Sequence, residues 1–501
     1  MSPEPHEQGP PPGTYPVVII GSGPGGMQTA YCLRKLGIDC VVISEDSAPG
    51  GMFRQFPLFQ RLITWTKPHA PAERKSRAYE RYDWNSLLGE QMDERSLVAE
   101  EMDGTSYFPS RPAMQTGLEK FASRTALPIR YGCQWKSTRV DADGFAVETT
   151  IGEYRCRALI VAVGRTRPWK PETPGMENVP HYVDTRKAEE YAGRTVFLVG
   201  KRNSGFEIAD ALLPHAKKIY LGSPRPAQIS VLTRSTAGAR ARYLQPYEDH
   251  VLGGGNVVMD VALTSIERNS RGYRIRATGT TKPTELDLEV DDVIAATGFT
   301  TPLMGLGDLG VKTFMQGRLP AQTPFWESTT VPGIFFAGSI TQGAIGMKKY
   351  GIPSNSAAVH GFRYNAAVLA RHVAEKIFGK SHAASPIPPE DLITFLLDEA
   401  TEAPELWNQQ SYLARVVTFD DGLPVDHGIV PLAHFVDSSG PDALALAIET
   451  DDSGDIHPAL YVRRDQNVTE HLMEPDPFHD YRGAHHRNLV SSVVTPLSKG
   501  R

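Results

Sequence analysis

The chain holds only four cysteines among 501 residues, Cys32, Cys40, Cys133 and Cys156. They are scattered and form no Cys-x-x-Cys. That excludes a built-in redox dithiol and points to a reducing compartment. No apolar run is long enough to cross a bilayer. Residues 1–13 are polar and proline-rich, without the basic start and apolar middle of a signal peptide, and read as a disordered tail. A cytoplasmic location is expected. Excess charge is missing too: 52 basic against 58 acidic residues give −6. Neither nucleic acid nor an anionic membrane is therefore expected as a partner. His457, His471, His479, His485 and His486 lack a metal-ligand spacing, and no metal is assigned.

A hydrophobic content of 40% and a charged content of 22% describe a soluble globular protein. The length calls for two or three domains. The strongest signal lies near the start. Tyr15-Pro-Val-Val-Ile-Ile-Gly-Ser-Gly-Pro-Gly-Gly26 is an apolar strand running into Gly21-x-Gly23-x-x-Gly26, with a helix pattern beyond. Gly21 permits the tight turn, Gly23 admits a pyrophosphate, and Gly26 lets the helix pack on the strand. Pro24 and Gly25 fall in the same turn, at a helix N-terminus suited to phosphate. The next strand, Cys40-Val-Val-Ile-Ser44, ends at Glu45, a carboxylate for a ribose hydroxyl.

A Gly-Gly turn, Pro49-Gly-Gly-Met-Phe53, follows; Gly51 belongs to the cofactor-binding set. Residues 57–106 are irregular and aromatic, with Phe59, Trp65, Tyr82 and Trp84, and such stretches are functional or disordered. The aromatics favour function. A helix is expected over 110–123, capped by Ser110, with Met114, Leu118 and Phe121 on one face. An apolar strand then stops at Gly164. A second nucleotide-type unit begins at Thr195-Val-Phe-Leu-Val-Gly200, with the turn Gly200-Lys-Arg-Asn-Ser-Gly205, a helix over 206–213 and a strand over 218–221. Strand-to-glycine stops recur at Gly298 and at Gly338-Ser339, before a helix over 354–378. Two such units in one chain imply two dinucleotides and hydride transfer from a nicotinamide to a flavin.

The expected fold is α/β. It has two Rossmann-like dinucleotide-binding domains, an FAD domain with an inserted NAD(P)H domain, plus a small C-terminal extension. The boundaries are 1–13 for the tail, 14–175 and 299–385 for the FAD domain, 176–298 for the NAD(P)H domain, and 386–501 for the extension, whose role is unassigned.

Over residues 15–379 these motifs resemble the two-dinucleotide-binding-domain flavoproteins, in particular the flavin-containing and N-hydroxylating monooxygenases. Arg81-Tyr-Asp-Trp-Asn-Ser-Leu-Leu88, Tyr107-Phe-Pro-Ser-Arg111 and Gly361-Phe-Arg-Tyr364 are similar to the ER flavoprotein associated with degradation and its bacterial relatives. The resemblance implies FAD bound by Gly21–Gly26 and Glu45, with Gly164, Gly298, Gly338 and Ser339 at the family's other cofactor strands. It implies NADPH at Gly200, Asn203, Ser204 and Gly205. The chain departs from the pattern at Arg202, which replaces the middle glycine. Arg202 either meets a nucleotide phosphate or is merely tolerated by the turn.

Ser223 and Arg225 lie where a 2′-phosphate would be met, with Arg234, Arg240 and Arg242 as competitors. NADPH is favoured over NADH. Asn85 and Trp84 are the catalytic candidates: Asn85 for a hydrogen bond to nicotinamide or flavin peroxide, Trp84 as a pocket wall. Gln55, Lys67, Lys348, Lys349 and Tyr350 are weaker candidates. The expected activity is an FAD-dependent, NADPH-using monooxygenase acting on a small molecule with O2 through a C4a-hydroperoxyflavin, N-hydroxylation being favoured. A reductase or oxidase acting on an external disulfide or quinone, and a non-catalytic flavin-bearing binding protein, are the alternatives. A homo-oligomer is left open.

Overall fold

The structure, a computed structural model, describes residues 9–56, 61–230, 238–303, 305–315, 317–344, 346, 354–381 and 383–498. Three sheets organise it, and the first is built around Thr14–Ile20. This strand runs parallel to Cys40–Ile43 on one side and to Gly152–Val161 on the other. Ile334–Phe336 pairs in parallel with the end of Gly152–Val161. The central strand is an unbroken apolar run because both of its faces are covered, as parallel sheets require. Val17, Val18 and Ile19 are fully buried. Helix Pro24–Lys35 starts at Gly23 with proline in its first turn and ends in Arg34 and Lys35, where cations suit the helix dipole.

The second sheet is an inserted unit. Its parallel part contains Asp292–Ala295, Thr195–Val199 and Lys218–Ser223, with the start of Val257–Asn269 beyond. Val257–Asn269, Gly272–Gly279 and Glu285–Val290 continue as an antiparallel meander. The short strands Arg167–Pro168 and Phe299–Thr300 pair where the chain enters and leaves this unit. Helix Asn203–Leu212 follows its first strand.

Helix Arg111–Arg124 forms as the capping signal predicts: Ser110 Oγ accepts from Ala113 N, and Met114, Leu118 and Phe121 are buried. Residues 9–13, read as tail, are fastened to the first sheet. Tyr154 donates to Pro10 O at 3.0 Å, and Arg155 N donates to Gly13 O at 2.9 Å. Short-range sequence patterns carry no sign of such a remote contact.

The C-terminal region is a six-stranded sheet in the order Ser385–Pro386, Leu423–Pro431, Leu413–Asp420, Ala443–Thr450, Ile456–Arg464 and Asn467–Leu472, with all its neighbouring strands antiparallel. Strand Ala443–Thr450 alternates Ala443, Ala445 and Ala447 on one face with Leu444, Leu446 and Ile448 on the other. The large side chains share one continuous core with helices Leu392–Glu402 and Ala484–Ser498 and with Val17, Met27, Trp326 and Val368 of the first unit. The extension is thus packed into the flavoprotein body rather than hung from it.

Candidate active site

The two glycine turns share one packing logic. Gly21 has φ of 110°, and a Cβ there would sit 2.6 Å from Ala162 O. A Cβ on Gly26 would overlap Gly21 O, and one on Gly205 would overlap Gly200 O. Gly25 is pressed against Gly338, so the first turn and the strand-to-glycine stop at Gly338 are joined backbone to backbone. Gly23 is different. Nothing lies within 4 Å of a Cβ built on it, so the space it leaves is available to a ligand. Arg202 occupies the equivalent position of the second turn, as the N-cap of helix Asn203–Leu212, and its side chain is exposed. The middle position makes no close backbone contact, which is why arginine fits there.

A cleft of about 670 Å³ runs between the two units. From the first unit it is lined by Gly21, Gly23, Pro24, Gly25, Glu45 and Gly51, with Gly164, Gly338 and Ser339; Gly298 lies at the return from the inserted unit. From the inserted unit come Asn203, Ser204 and Arg240. Three helices place their N-terminal residues on it: Pro24–Lys35, Asn203–Leu212 and Val359–Phe378. Their aligned peptide dipoles favour bound negative charge. Gly26, Gly200, Arg202, Gly205 and Arg225 do not line the cleft. The three glycines act through packing. Arg225 is exposed just beyond strand Lys218–Ser223.

Trp84 stands one layer behind the cleft wall. Its ring lies 3.7 Å from that of Trp65 and 4.0 Å from that of His360, and its Nε1 donates to Arg81 O at 2.9 Å. His360 is the member of the stack that lines the cleft. Asn85 does line it, but its amide hydrogens are already committed. Nδ2 donates to Thr64 O at 3.2 Å and Thr66 Oγ1 at 3.0 Å, while Oδ1 accepts from Thr64 Oγ1 at 2.6 Å. Asn85 therefore braces the wall, and its donors are spent before a nicotinamide or flavin arrives. Trp84 thus backs the cleft wall through His360, and Asn85 lines the cleft as a hydrogen-bonded part of that wall.

Of the weaker candidates, Gln55 lines the cleft and Lys67 does not. Arg240 faces the cleft beside Asn203, whose Oδ1 accepts from Arg240 N at 3.0 Å. Arg242 instead stacks over Phe108 at 4.8 Å. Phe59, Arg234, Lys348, Lys349 and Tyr350 fall outside the described residues.

Three features had no sequence signal. His360 is 3% exposed, and among the described residues neither of its ring nitrogens has a hydrogen-bond partner. Burial, with Arg363 and Arg240 nearby, holds it well below the usual imidazole range, so the ring is neutral. Glu207 is a buried carboxylate on the cleft, accepting from Tyr182 OH at 2.6 Å and Tyr243 OH at 3.2 Å. Gln409, from the C-terminal region, bonds Asn355, Ser356 and Asn365 at the back of the cleft wall. Cys32, Cys40, Cys133 and Cys156 are unpaired, and burial pushes Cys40 and Cys156 up to about 12.

Two glycine turns, each packed against its own strand-to-glycine stop and opening on one cleft, define a two-dinucleotide redox protein. Comparison with known proteins gives the family. The pyridine nucleotide-disulphide oxidoreductase family matches residues 18–338, and the chain belongs to it. The chain is 25% identical over 433 residues to the FAD-dependent oxidoreductase domain-containing protein 2 of Mus musculus, across 80% of this chain and 64% of that protein. It thus spans 64% of the length of this curated relative. Its fold is shared with a bacillithiol disulfide reductase from Bacillus cereus (TM-score 0.57, 20% identity, 73% of this chain and 100% of the other). It is shared also with a flavin-containing monooxygenase from Stenotrophomonas maltophilia (TM-score 0.54, 20% identity, 72% and 99%). Among the described residues no helix is long and apolar enough to cross a membrane.

Proposed function

We propose that the protein is an NADPH-using, FAD-dependent monooxygenase that oxygenates a small molecule, with nitrogen as the favoured atom. The observation that carries this is the single cleft onto which both nucleotide turns open, in a chain whose four thiols are unpaired, three of them buried. The dithiol usual in disulfide reductases of this architecture is missing, so a reductase here would need an external acceptor.

In this reading Gly21, Gly23, Pro24, Gly25 and Glu45 hold FAD. Gly23 leaves room for the pyrophosphate and Glu45 takes a ribose hydroxyl. Asn203, Ser204 and Arg240 hold the nicotinamide nucleotide at its pyrophosphate, and the exposed Arg202 and Arg225 meet its 2′-phosphate. FAD supplies the hydride acceptance and oxygen activation that side chains lack. The chain's part is to orient and to keep water out. Phe56, Tyr182 and Phe299 form an edge-to-face row on the cleft, with centroids 6.2 and 6.1 Å apart. His360 gives that end of the cleft an uncharged polar contact.

Anaerobic mixing of the purified yellow protein with NADPH, and separately NADH, followed by air and an amine panel, tests the reading. Bleaching by NADPH and recovery of a hydroxylated amine support it. Bleaching with transfer to disulfides or quinones and no oxygenated product replaces it with a reductase.

A further inference from the structure

A second cavity, of about 460 Å³, lies between residues 75–95, helix Val359–Phe378 and the C-terminal sheet. It shares no lining residue with the flavin cleft. Tyr364, Ala367, Val368 and Arg371 present one stripe of the helix to it, running from about one to about three turns on from His360.

Four guanidinium groups line this cavity, and they divide into two kinds. Arg77 and Arg415 are matched by carboxylates. Arg77 pairs with Glu399 at 2.7 Å and Glu405 at 2.8 Å; Arg415 pairs with Asp426 and, at 3.2 Å, with Glu399. These two tie the C-terminal sheet to the flavin unit. Arg371 and Arg95 are not matched. Arg371 donates to Ile429 O at 2.6 Å, and Arg95 to Gly89 O at 2.8 Å and Lys75 O at 3.0 Å. Among the described residues neither has a carboxylate within ion-pair distance. The carboxylates that face Arg371, Glu405 and Asp426, are those already held by Arg77 and Arg415.

A neutral carbonyl satisfies a hydrogen of a guanidinium but not its charge. Arg371 and Arg95 are half-buried, and a half-buried cation without a counterion carries part of a desolvation cost that an anion would offset. Burial and the adjacent Arg415 accordingly press on the charged form of Arg371. Glu80, on the same wall, accepts from Tyr364 OH at 3.0 Å and, among the described residues, has no cation within ion-pair distance. The volume falls in the range of small-molecule sites, roughly 300–1,000 Å³. A guanidinium fork matches the planar carboxylate and the phosphate alike.

We propose that this cavity is a second ligand site, for a small molecule bearing a carboxylate or phosphate, with Arg371 and Arg95 as its anion contacts. The occupant would sit close to the redox cleft. Arg363 donates to Glu80 O at 2.8 Å and to Ser86 O at 2.6 Å, joining the cavity wall to the segment that carries Asn85. The proposal rests on neither the oxygenation reading nor the assignment of the nucleotide turns, so either can fail without the other.

The test is isothermal titration of the full-length, FAD-loaded protein at constant ionic strength, with inorganic phosphate in one arm and succinate in the other. The expected result is one site per chain for at least one probe. Its affinity should fall tenfold or more in Arg371→Gln and Arg95→Gln and stay the same in Arg271→Gln, an exposed turn residue. The arm that responds identifies the source of the anion. No saturable binding of either probe, or binding that survives Arg371→Gln undiminished, overturns the proposal. Should Arg371→Gln fail to fold, Arg371→Lys keeps the charge and loses the fork; undiminished binding there and in Arg95→Gln overturns it equally.

Discussion

Gln409 donates from Nε2 to Asn365 Oδ1 at 2.5 Å, bringing the C-terminal region to the wall of the redox cleft. The same Nε2 reaches Ser356 Oγ at 3.0 Å, and its Oε1 accepts from Asn355 N at 3.1 Å. Gln409 is fully buried; Ser356 Oγ also accepts from Ser354 Oγ and Asn365 Nδ2, whereas Gln409 is the partner of Asn365 Oδ1 and Asn355 N.

Replacing Gln409 by Ala leaves Asn365 Oδ1 and Asn355 N unmatched and costs about 2–3 kcal/mol of stability. Because Asn355 lines the cleft, FAD occupancy falls as well. Urea unfolding and the flavin-to-protein absorbance ratio of Gln409→Ala check this. Full flavin content at unchanged stability would show that the C-terminal region does not support the cleft.

The first turn separates packing from binding. Gly25→Ala drives a methyl into Gly338 and is expected to lower the yield of folded protein. Gly23→Ala meets no protein atom and is expected to fold normally while weakening FAD by at least about tenfold, or 1.4 kcal/mol. Circular dichroism with FAD titration distinguishes the two. A Gly23→Ala protein with wild-type FAD affinity would place the pyrophosphate elsewhere.

Arg202 and Arg225 are exposed and free to meet a 2′-phosphate. Loss of one charge-assisted contact, about 1.5–3 kcal/mol, predicts that Arg225→Ala raises the KM for NADPH at least tenfold and leaves that for NADH unchanged. Equal effects on both nucleotides would remove Arg225 from phosphate recognition.

Glu80 gives stability a pH dependence. Burial, with help from Glu405, raises its carboxyl to about 7, against the opposing pull of Arg363 and Arg95 and the Tyr364 hydroxyl. The folded state then holds a proton that the unfolded chain releases near 4.5. Its contribution is complete below about 4.5 and is lost as pH rises towards 7. The total is on the order of 3 kcal/mol. Glu80→Gln should flatten this segment of the profile and stabilise the protein at pH 8 relative to wild type. Urea unfolding at pH 5 and pH 8 reads it directly, and identical slopes for both proteins would refute it.

Local chemistry made much of the fold legible. Gly21, Gly26 and Glu45 mark a strand–turn–helix–strand unit because each is needed within a few residues of the next. Ser110 marks its helix for the same reason. The second turn was legible despite Arg202, since only Gly200 and Gly205 make close backbone approaches. Asn85 lines the cleft and Trp84 stacks behind it, but their roles were not readable from the sequence. Whether an amide's hydrogens are free depends on Thr64 and Thr66, and whether an indole faces a ligand depends on His360, 276 positions away.

By itself, then, the sequence determined two nucleotide-binding units, the strand-to-glycine stops that close them, and the lack of a redox dithiol. All of these follow from short-range sterics and residue chemistry. Only the tertiary structure decided that the C-terminal sheet shares the flavin unit's core, that His360 is a neutral imidazole on the cleft with no hydrogen-bond partner among the described residues, and that Arg371 and Arg95 face a cavity with no matching carboxylates among them. Burial and charge compensation are properties of what the chain brings together across hundreds of residues, and no local pattern encodes them.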